Sequence, residues 1–419
     1  MIDLKKNTLL VNCLKLILGS GGAKLIGILA MPVLARIYSP EQFGLFTTFT
    51  SLVLVLAPLI SLRYCDAIPL PASNRQAILL VFLCGSLIGA FVLCVTLTFV
   101  VIINVISTPF SEHPFIFTLT LFSALLLSAM YEVLNMWAIR TKSFGVIAKS
   151  QVAQSFIGTI TKLVMGGVSV GSGLMIGYIA QLSSGNYRLF LNFYLYFKKI
   201  KIIINPNKLI NIARRYSRYP KLRLPSNLLM TLSQQLLVFY VALNFSQDNV
   251  GQLGLALSLI AIPTMLFVST IKKVFYGEIV NNKSVKDILS LTYKFSIRLF
   301  VVALIPCLGL SLFGKEIFTY FFGVDWRLAG EVVECLSLYL VFSITVGPLL
   351  NVFDVLNKQK MYLIVNFIRF ICLVLFCLIS YVFEFVFIEI VFAYSVIMSL
   401  FFLGIYTLII YTLKKERIS

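Results

Sequence analysis

The stretch QAILLVFLCGSLIGAFVLCVTLTFVVIINVI (Gln76–Ile106) decides the fold class, because it runs its whole length without a charged side chain. At a rise of 1.5 Å per residue, about 20 apolar residues cross a hydrocarbon core of about 30 Å. This stretch is longer than one crossing needs, which predicts a helix that tilts or frays. Outward from it the same pattern recurs: 59% of the 419 residues are hydrophobic, in runs bounded by charge or by Pro, Gly and Asn. A soluble core cannot absorb that much apolar sequence, whereas a bilayer can. The expected architecture is an all-α polytopic membrane protein.

Apolar runs place about twelve spans at 8–35, 43–63, 76–106, 114–139, 145–169, 172–197, 219–244, 250–271, 289–313, 331–353, 361–383 and 385–412. The first has no small-residue cleavage site followed by soluble sequence, so it reads as a retained helix. The densest basic segment, KKIKIIINPNKLINIARRYSRYPKLR (Lys198–Arg223), falls between the sixth and seventh spans. It divides the chain into an N-terminal lobe (1–197), a basic linker (198–218) and a C-terminal lobe with its tail (219–419). Two six-helix lobes around a central cavity are therefore expected.

Orientation follows from the basic residues. With a cytoplasmic N-terminus, the inner segments hold about 24 Lys and Arg and the outer loops only Arg36, Lys315 and Arg327. Both termini then face the cytoplasm. The linker reads as a topology signal attracted to anionic headgroups, and no nucleic-acid partner is expected.

The two halves carry a short internal repeat. At a constant offset of 207, Ala35, Ser39, Gly44, Ser51 and Leu52 meet Ala242, Ser246, Gly251, Ser258 and Leu259. Each copy is a polar turn with a Ser before a Gly that lets the next helix pack closely. Six spans per copy imply a parallel repeat.

Charges inside spans are costly and face a bundle interior or water. Lys15, Lys149 and Lys294 lie within about two turns of a cytoplasmic helix end and can snorkel. Lys24, Lys162, Arg188, Arg298 and Arg369 lie roughly 13–26 Å deep, where snorkelling is harder. Two readings stand for them: a cationic cavity, or structural pairing with Glu132 and helix carbonyls. Acids are scarce at depth, with Glu132 the exception. A carrier of organic cations wants buried carboxylates; a Lys/Arg-lined cavity suits an anion, a membrane-borne diphosphate above all. Glu132 is the candidate coupling residue.

Chemistry of other kinds finds no footing. The eight cysteines lie mostly in apolar spans without a CxxC, and the one histidine, His113, reads as a loop residue. Neither a disulfide framework nor a metal site is expected, and no cofactor. No GxxxxGK[ST] motif is present, so ATP hydrolysis is not built in. Gly166, Gly167, Gly171 and Gly173 read as a tight outer turn.

Three segments carry a resemblance: MPVLARIYSPEQFGLF (Met31–Phe46), SLRYCDAIPLP (Ser61–Pro71) and FGVDWRLAG (Phe322–Gly330). They resemble bacterial Wzx-type O-antigen and capsule flippases, of the multidrug/oligosaccharidyl-lipid/polysaccharide superfamily. The resemblance implies a non-enzymatic, multi-pass protein of the bacterial inner membrane. It implies movement of an undecaprenyl-diphosphate-linked glycan to the periplasmic leaflet by alternating access, with a polymerase and a chain-length regulator as partners. One position departs: where the family commonly has Glu after Arg-Tyr, this chain has Cys65, with Asp66 beside it. That leaves the partner of Arg63 open. The competing readings are a polysaccharide polymerase or ligase, disfavoured by short outer loops, and a drug exporter, disfavoured by a cationic interior. A lipid II flippase usually has two more helices.

Overall fold

A computed structural model describes residues 22, 25–105, 114–167, 172–198, 205–281, 285–350, 352, 353, 356 and 358–418. Helices account for nearly all of them: α1 (Leu25–Ile37), α2 (Pro40–Ile60), α3 (Asn74–Val105), α4 (Pro114–Arg140), α5 (Phe144–Gly166), α6 (Gly173–Phe197), α7 (Pro206–Arg215), α8 (Leu224–Asn244), α9 (Gln247–Asn281), α10 (Val285–Phe322), α11 (Arg327–Val346), α12 (Gln359–Val382) and α13 (Phe387–Ile418). Every expected span from 43–63 onward has a helix over it. The 8–35 span falls mostly outside the described residues, which begin to cover it in α1. Among the described residues, eight helices are long and apolar enough to cross a membrane. The helices α5 and α6 are long enough but carry Lys149, Lys162, Arg188 and several amides, which lower their apolar content. Large apolar side chains such as Leu97, Phe156, Ile305 and Leu378 stand exposed along the spans. In water such faces would drive aggregation, whereas in a bilayer they are the lipid-facing surface. The chain is an all-helical, multi-pass membrane protein.

Two compact units make up the chain. The first runs to Thr231 apart from Ser39–Gly44; the second takes in Ser39–Gly44 and everything from Leu232. In the first, α5 and α6 pack along their length, α4 packs on α6, and α3 packs on α4. Its interior holds Phe49, Ile60, Ile68, Ile78, Leu121 and Trp137. The basic segment is more than a connector. Asn205 caps the N-terminus of α7 by accepting from the Asn207 amide at 3.0 Å, and Pro206 supplies the fixed φ of the first turn. One face of α7 buries Ile212 against the core of the first unit, while Arg214 and Arg215 stay exposed.

The second unit centres on α11, packed against α9, α10 and α13. Its long helix α10 is broken at Phe313, whose φ of −127° and ψ of 15° leave the helical region. The break has a local cause. Gly314 and Gly330 let α10 and α11 approach so closely that either Cβ would meet backbone of the other helix. Glu334 accepts the Lys315 amide at 2.9 Å, so it satisfies a donor that the break would otherwise orphan.

The repeat is visible in hydrogen bonds as well as letters. Ser39 and Gln42 cap α2 reciprocally, Gln42 N to Ser39 Oγ at 3.4 Å and Ser39 N to Gln42 Oε1 at 3.2 Å. Ser246 caps α9 in the same way, accepting from Asn249 N at 3.3 Å. These starts cross each other reciprocally: a Cβ on Gly44 would strike the Gln247 carbonyl, and one on Gly251 would strike the Pro40 carbonyl. Pro40 corresponds to Gln247, and Gly44 to Gly251, at the offset read from the sequence.

Candidate functional site: charged residues of the spanning helices

The sharpest turn in the first unit follows α2. Leu62 and Arg63 both take left-handed backbone, with φ of 45° and 58°, a costly conformation for side chains with a Cβ. It aims Arg63 back at α4. Its guanidinium pairs with Glu132 at 3.6 Å and with Asp66 at 4.0 Å, and Asp66 in turn accepts from exposed Arg223 at 2.8 Å. Asp66 and Glu132 thus supply the acid that position 65 lacks. Cys65 is fully buried between Ser61 Oγ at 3.3 Å and Glu132 at 3.9 Å. Burial, reinforced by the neighbouring carboxylate, pushes its thiol up to about 12. Tyr64 donates its hydroxyl to the Ala213 carbonyl at 3.2 Å and so ties α7 to this turn.

Arg140, at the end of α4, holds the segment that follows. It donates to the carbonyls of Ile68, Pro69 and Pro71 and, through Nε and Nη2, to Asn74 Oδ1 at 3.2 and 2.9 Å. The two prolines have no amide of their own to spend on a turn, and the planar guanidinium reaches several carbonyls at once.

The helices α5 and α6 form a ladder of large against small. Gln154 faces Gly185, Gly158 faces Gln181 and Lys162 faces Gly177, so each four-residue step along α5 is matched by one back along α6. Ser150 adds a bond to the Gly185 carbonyl at 3.1 Å. At the far end Tyr38 fills the space that Gly166 and Gly173 leave, and donates to the Lys162 carbonyl at 2.7 Å. Gly166 and Gly173 thus end α5 and begin α6 against Tyr38, Gly167 is a turn residue between them, and Gly171 lies outside the described residues. Glycine at these steps lets helix backbones approach where burial of apolar surface gives no driving force.

The five candidate cations now have places. Lys162, half-buried, holds its ammonium 4.9 Å from the centroid of the Phe46 ring. Arg188 is exposed on α6, close to Lys149 of α5. Arg298 is exposed on α10, one turn beyond the equally exposed Lys294. Arg369, half-buried on α12, stands 5.9 Å from the Phe401 ring centroid. Lys24 lies outside the described residues. The structure pairs Glu132 with Arg63. Lys162 and Arg188 belong to the first unit, Arg298 and Arg369 to the second.

Two of the segments that carry the resemblance, Met31–Phe46 and Phe322–Gly330, meet within the second unit through Phe43 and Trp326. Gly323, with φ of 107°, starts a short turn that buries Trp326 edge-on to Phe43, ring centroids 5.0 Å apart. Buried Gln252 fastens the turn, donating to the Asp325 carbonyl at 2.7 Å and accepting from the Ala329 amide at 2.9 Å. Beside it lies a recess of about 560 Å3 lined by Ser39, Asp248, Asp325, Arg327 and Glu331.

Compared with known proteins, residues 33–330 match the family described as polysaccharide biosynthesis protein. No curated protein sequence matches. Among solved structures the chain is similar to the lipid II flippase MurJ in an inward closed conformation. The TM-score is 0.71 at 14% identity, over 95% of this chain and 87% of that one. It is also similar to an inward-facing multidrug resistance MATE family transporter of the MOP superfamily, with a TM-score of 0.68 at 15% identity, over 94% and 96%. A MATE structure in complex with MaL6 follows at 0.59 and 16%, over 96% of each chain. At such identities the likeness speaks for the fold alone.

Proposed function

The chain belongs to the polysaccharide biosynthesis protein family, and from that premise we propose that it is a flippase. It carries an undecaprenyl-diphosphate-linked oligosaccharide from the cytoplasmic to the periplasmic leaflet of the bacterial inner membrane, for O-antigen or capsule assembly. Both termini lie in the cytoplasm, and a polysaccharide polymerase and chain-length regulator act downstream. The family match over most of the chain carries this reading. The fold it shares with transporters supports it, and so does the sign of the intramembrane charge. Lys24, Lys162, Arg188, Arg298 and Arg369 meet the diphosphate during alternating access. Arginine grips phosphate oxygens in pairs and lysine supplies a movable point charge. The protein performs no bond chemistry on the glycan.

The test is a leaflet-access assay. Purified protein in liposomes receives a fluorescent undecaprenyl-diphosphate oligosaccharide, and an impermeant quencher reports which leaflet holds it. The expected result is protein-dependent equilibration, slowed at least about tenfold in Arg298→Ala and Arg369→Ala, equivalent to about 1.4 kcal/mol or more of lost stabilisation. Equilibration that those changes leave intact would retain the flippase and remove these two residues from its path. No equilibration by folded, wild-type protein under any imposed ion gradient, together with export of cationic drugs, would favour the multidrug reading that the MATE likeness raises.

A further inference from the structure

Lys149 and Arg188 share one groove of about 410 Å3 with Ala148, Val152, Ala153, Phe156 and Ile157. The α5–α6 register puts Arg188 level with Gln151, about half a turn from Lys149, so both cations sit at one end of it. No acid lines the groove. From that end an exposed apolar file continues along α5 through Val152, Phe156, Ile160 and Val164, each four residues from the last and so on one face. Lys149 lies about 7.5 Å inside the start of α5, and the file extends about 22 Å deeper.

We propose that this groove seats a polyprenyl diphosphate, with the diphosphate between Lys149 and Arg188 and the first isoprene units along Val152, Phe156 and Ile160. The inference rests on the flippase reading and deepens it, giving the lipid end of the substrate a place in the first unit. Two cations match the two phosphates of a diphosphate, and one file matches one chain. A phospholipid brings a single phosphate and two chains, so it leaves one cation and one chain without a counterpart. The order of the groove also matches an amphiphile: charge near the membrane boundary, hydrocarbon toward its middle. Lys149 is thereby a binding residue and not a snorkelling one.

Full-length protein in nanodiscs, titrated with undecaprenyl diphosphate and separately with phosphatidylglycerol, tests it by native mass spectrometry. The double variant Lys149→Gln, Arg188→Gln is expected to bind the diphosphate at least about tenfold more weakly. Phosphatidylglycerol should shift less than about twofold, and Lys294→Gln should change neither. Diphosphate affinity within about twofold of wild type overturns the inference, as does a parallel loss of phosphatidylglycerol, which would make the groove a general seat for anionic lipid. Phe156→Asn provides a second reading with the charges intact: weaker binding of undecaprenyl diphosphate and unchanged binding of inorganic diphosphate. Equal binding of both by Phe156→Asn and wild type would remove the chain from the groove. If wild type moves the lipid-linked glycan while the double variant binds normally, the groove alone fails. If wild type neither binds nor moves it, the flippase reading fails first.

Discussion

Arg140 makes more hydrogen bonds to one short segment than a topology signal requires, and its removal has a definite expected effect. Arg140→Ala leaves the carbonyls of Ile68, Pro69 and Pro71 without their donor and should lower stability by about 2 kcal/mol, measured by denaturant titration in micelles. Arg140→Lys should recover little, because a point charge cannot fork across three carbonyls and an amide. Cys65 offers a second test at this scale. With its thiol pushed up to about 12 by burial, it is essentially all thiol at pH 8. Maleimide at pH 8 should leave it unmodified in the folded protein and label it on denaturation, read by peptide mass spectrometry. The partner of Arg63 was not readable from sequence, because Glu132 lies 69 positions away and only the left-handed turn at Leu62 and Arg63 brings them together.

The places of the helices were readable, since each centres on an apolar run and a bilayer demands little more of a sequence than length and hydropathy, but α9 and α10 run on through charged residues to Asn281 and Phe322, past the expected ends at 271 and 313. Packing between helices was not, because it depends on which glycine faces which side chain. The α7 start was missed although its signal stands in the letters, an Asn-Pro pair ahead of an amphipathic run. The repeat is legible in Ser39 and Ser246, whereas its reciprocal crossing depends on which backbone carbonyl faces each glycine. Glycine substitutions separate these cases. Gly251→Ala drives a methyl into the Pro40 carbonyl, backbone that cannot swing aside, and should cost at least about 1–3 kcal/mol. Gly85→Ala, in open space on α3, should be neutral or stabilise by up to about 1 kcal/mol. Thermal melting of both variants in the same detergent compares them directly; equal shifts would contradict the crossing.

For the molecule as a whole, the proposed flippase function raises the question of where transport would couple to energy. Glu132 is the deep carboxylate singled out in the sequence, and it is held by Arg63. If it moves a proton, Glu132→Gln abolishes the response of glycan equilibration to an imposed pH gradient in liposomes. If it only anchors Arg63, the variant loses about 1 kcal/mol of stability and keeps that response. The cationic character of the spans was readable as composition, while the exposure of each cation was not, because helices apolar all round give no periodicity to tell Arg188 and Arg298, which stand exposed, from half-buried Lys162 and Arg369. The α5–α6 ladder has a mechanical consequence. Slide α5 one turn against α6 and Gln154 collides with Gln181, while Gly158 opens a hole against Gly177. Neither neighbouring register is habitable, so the pair works as a keyed shaft with one seating. In the stroke of the flippase proposed above, these two helices ride through as a single piece.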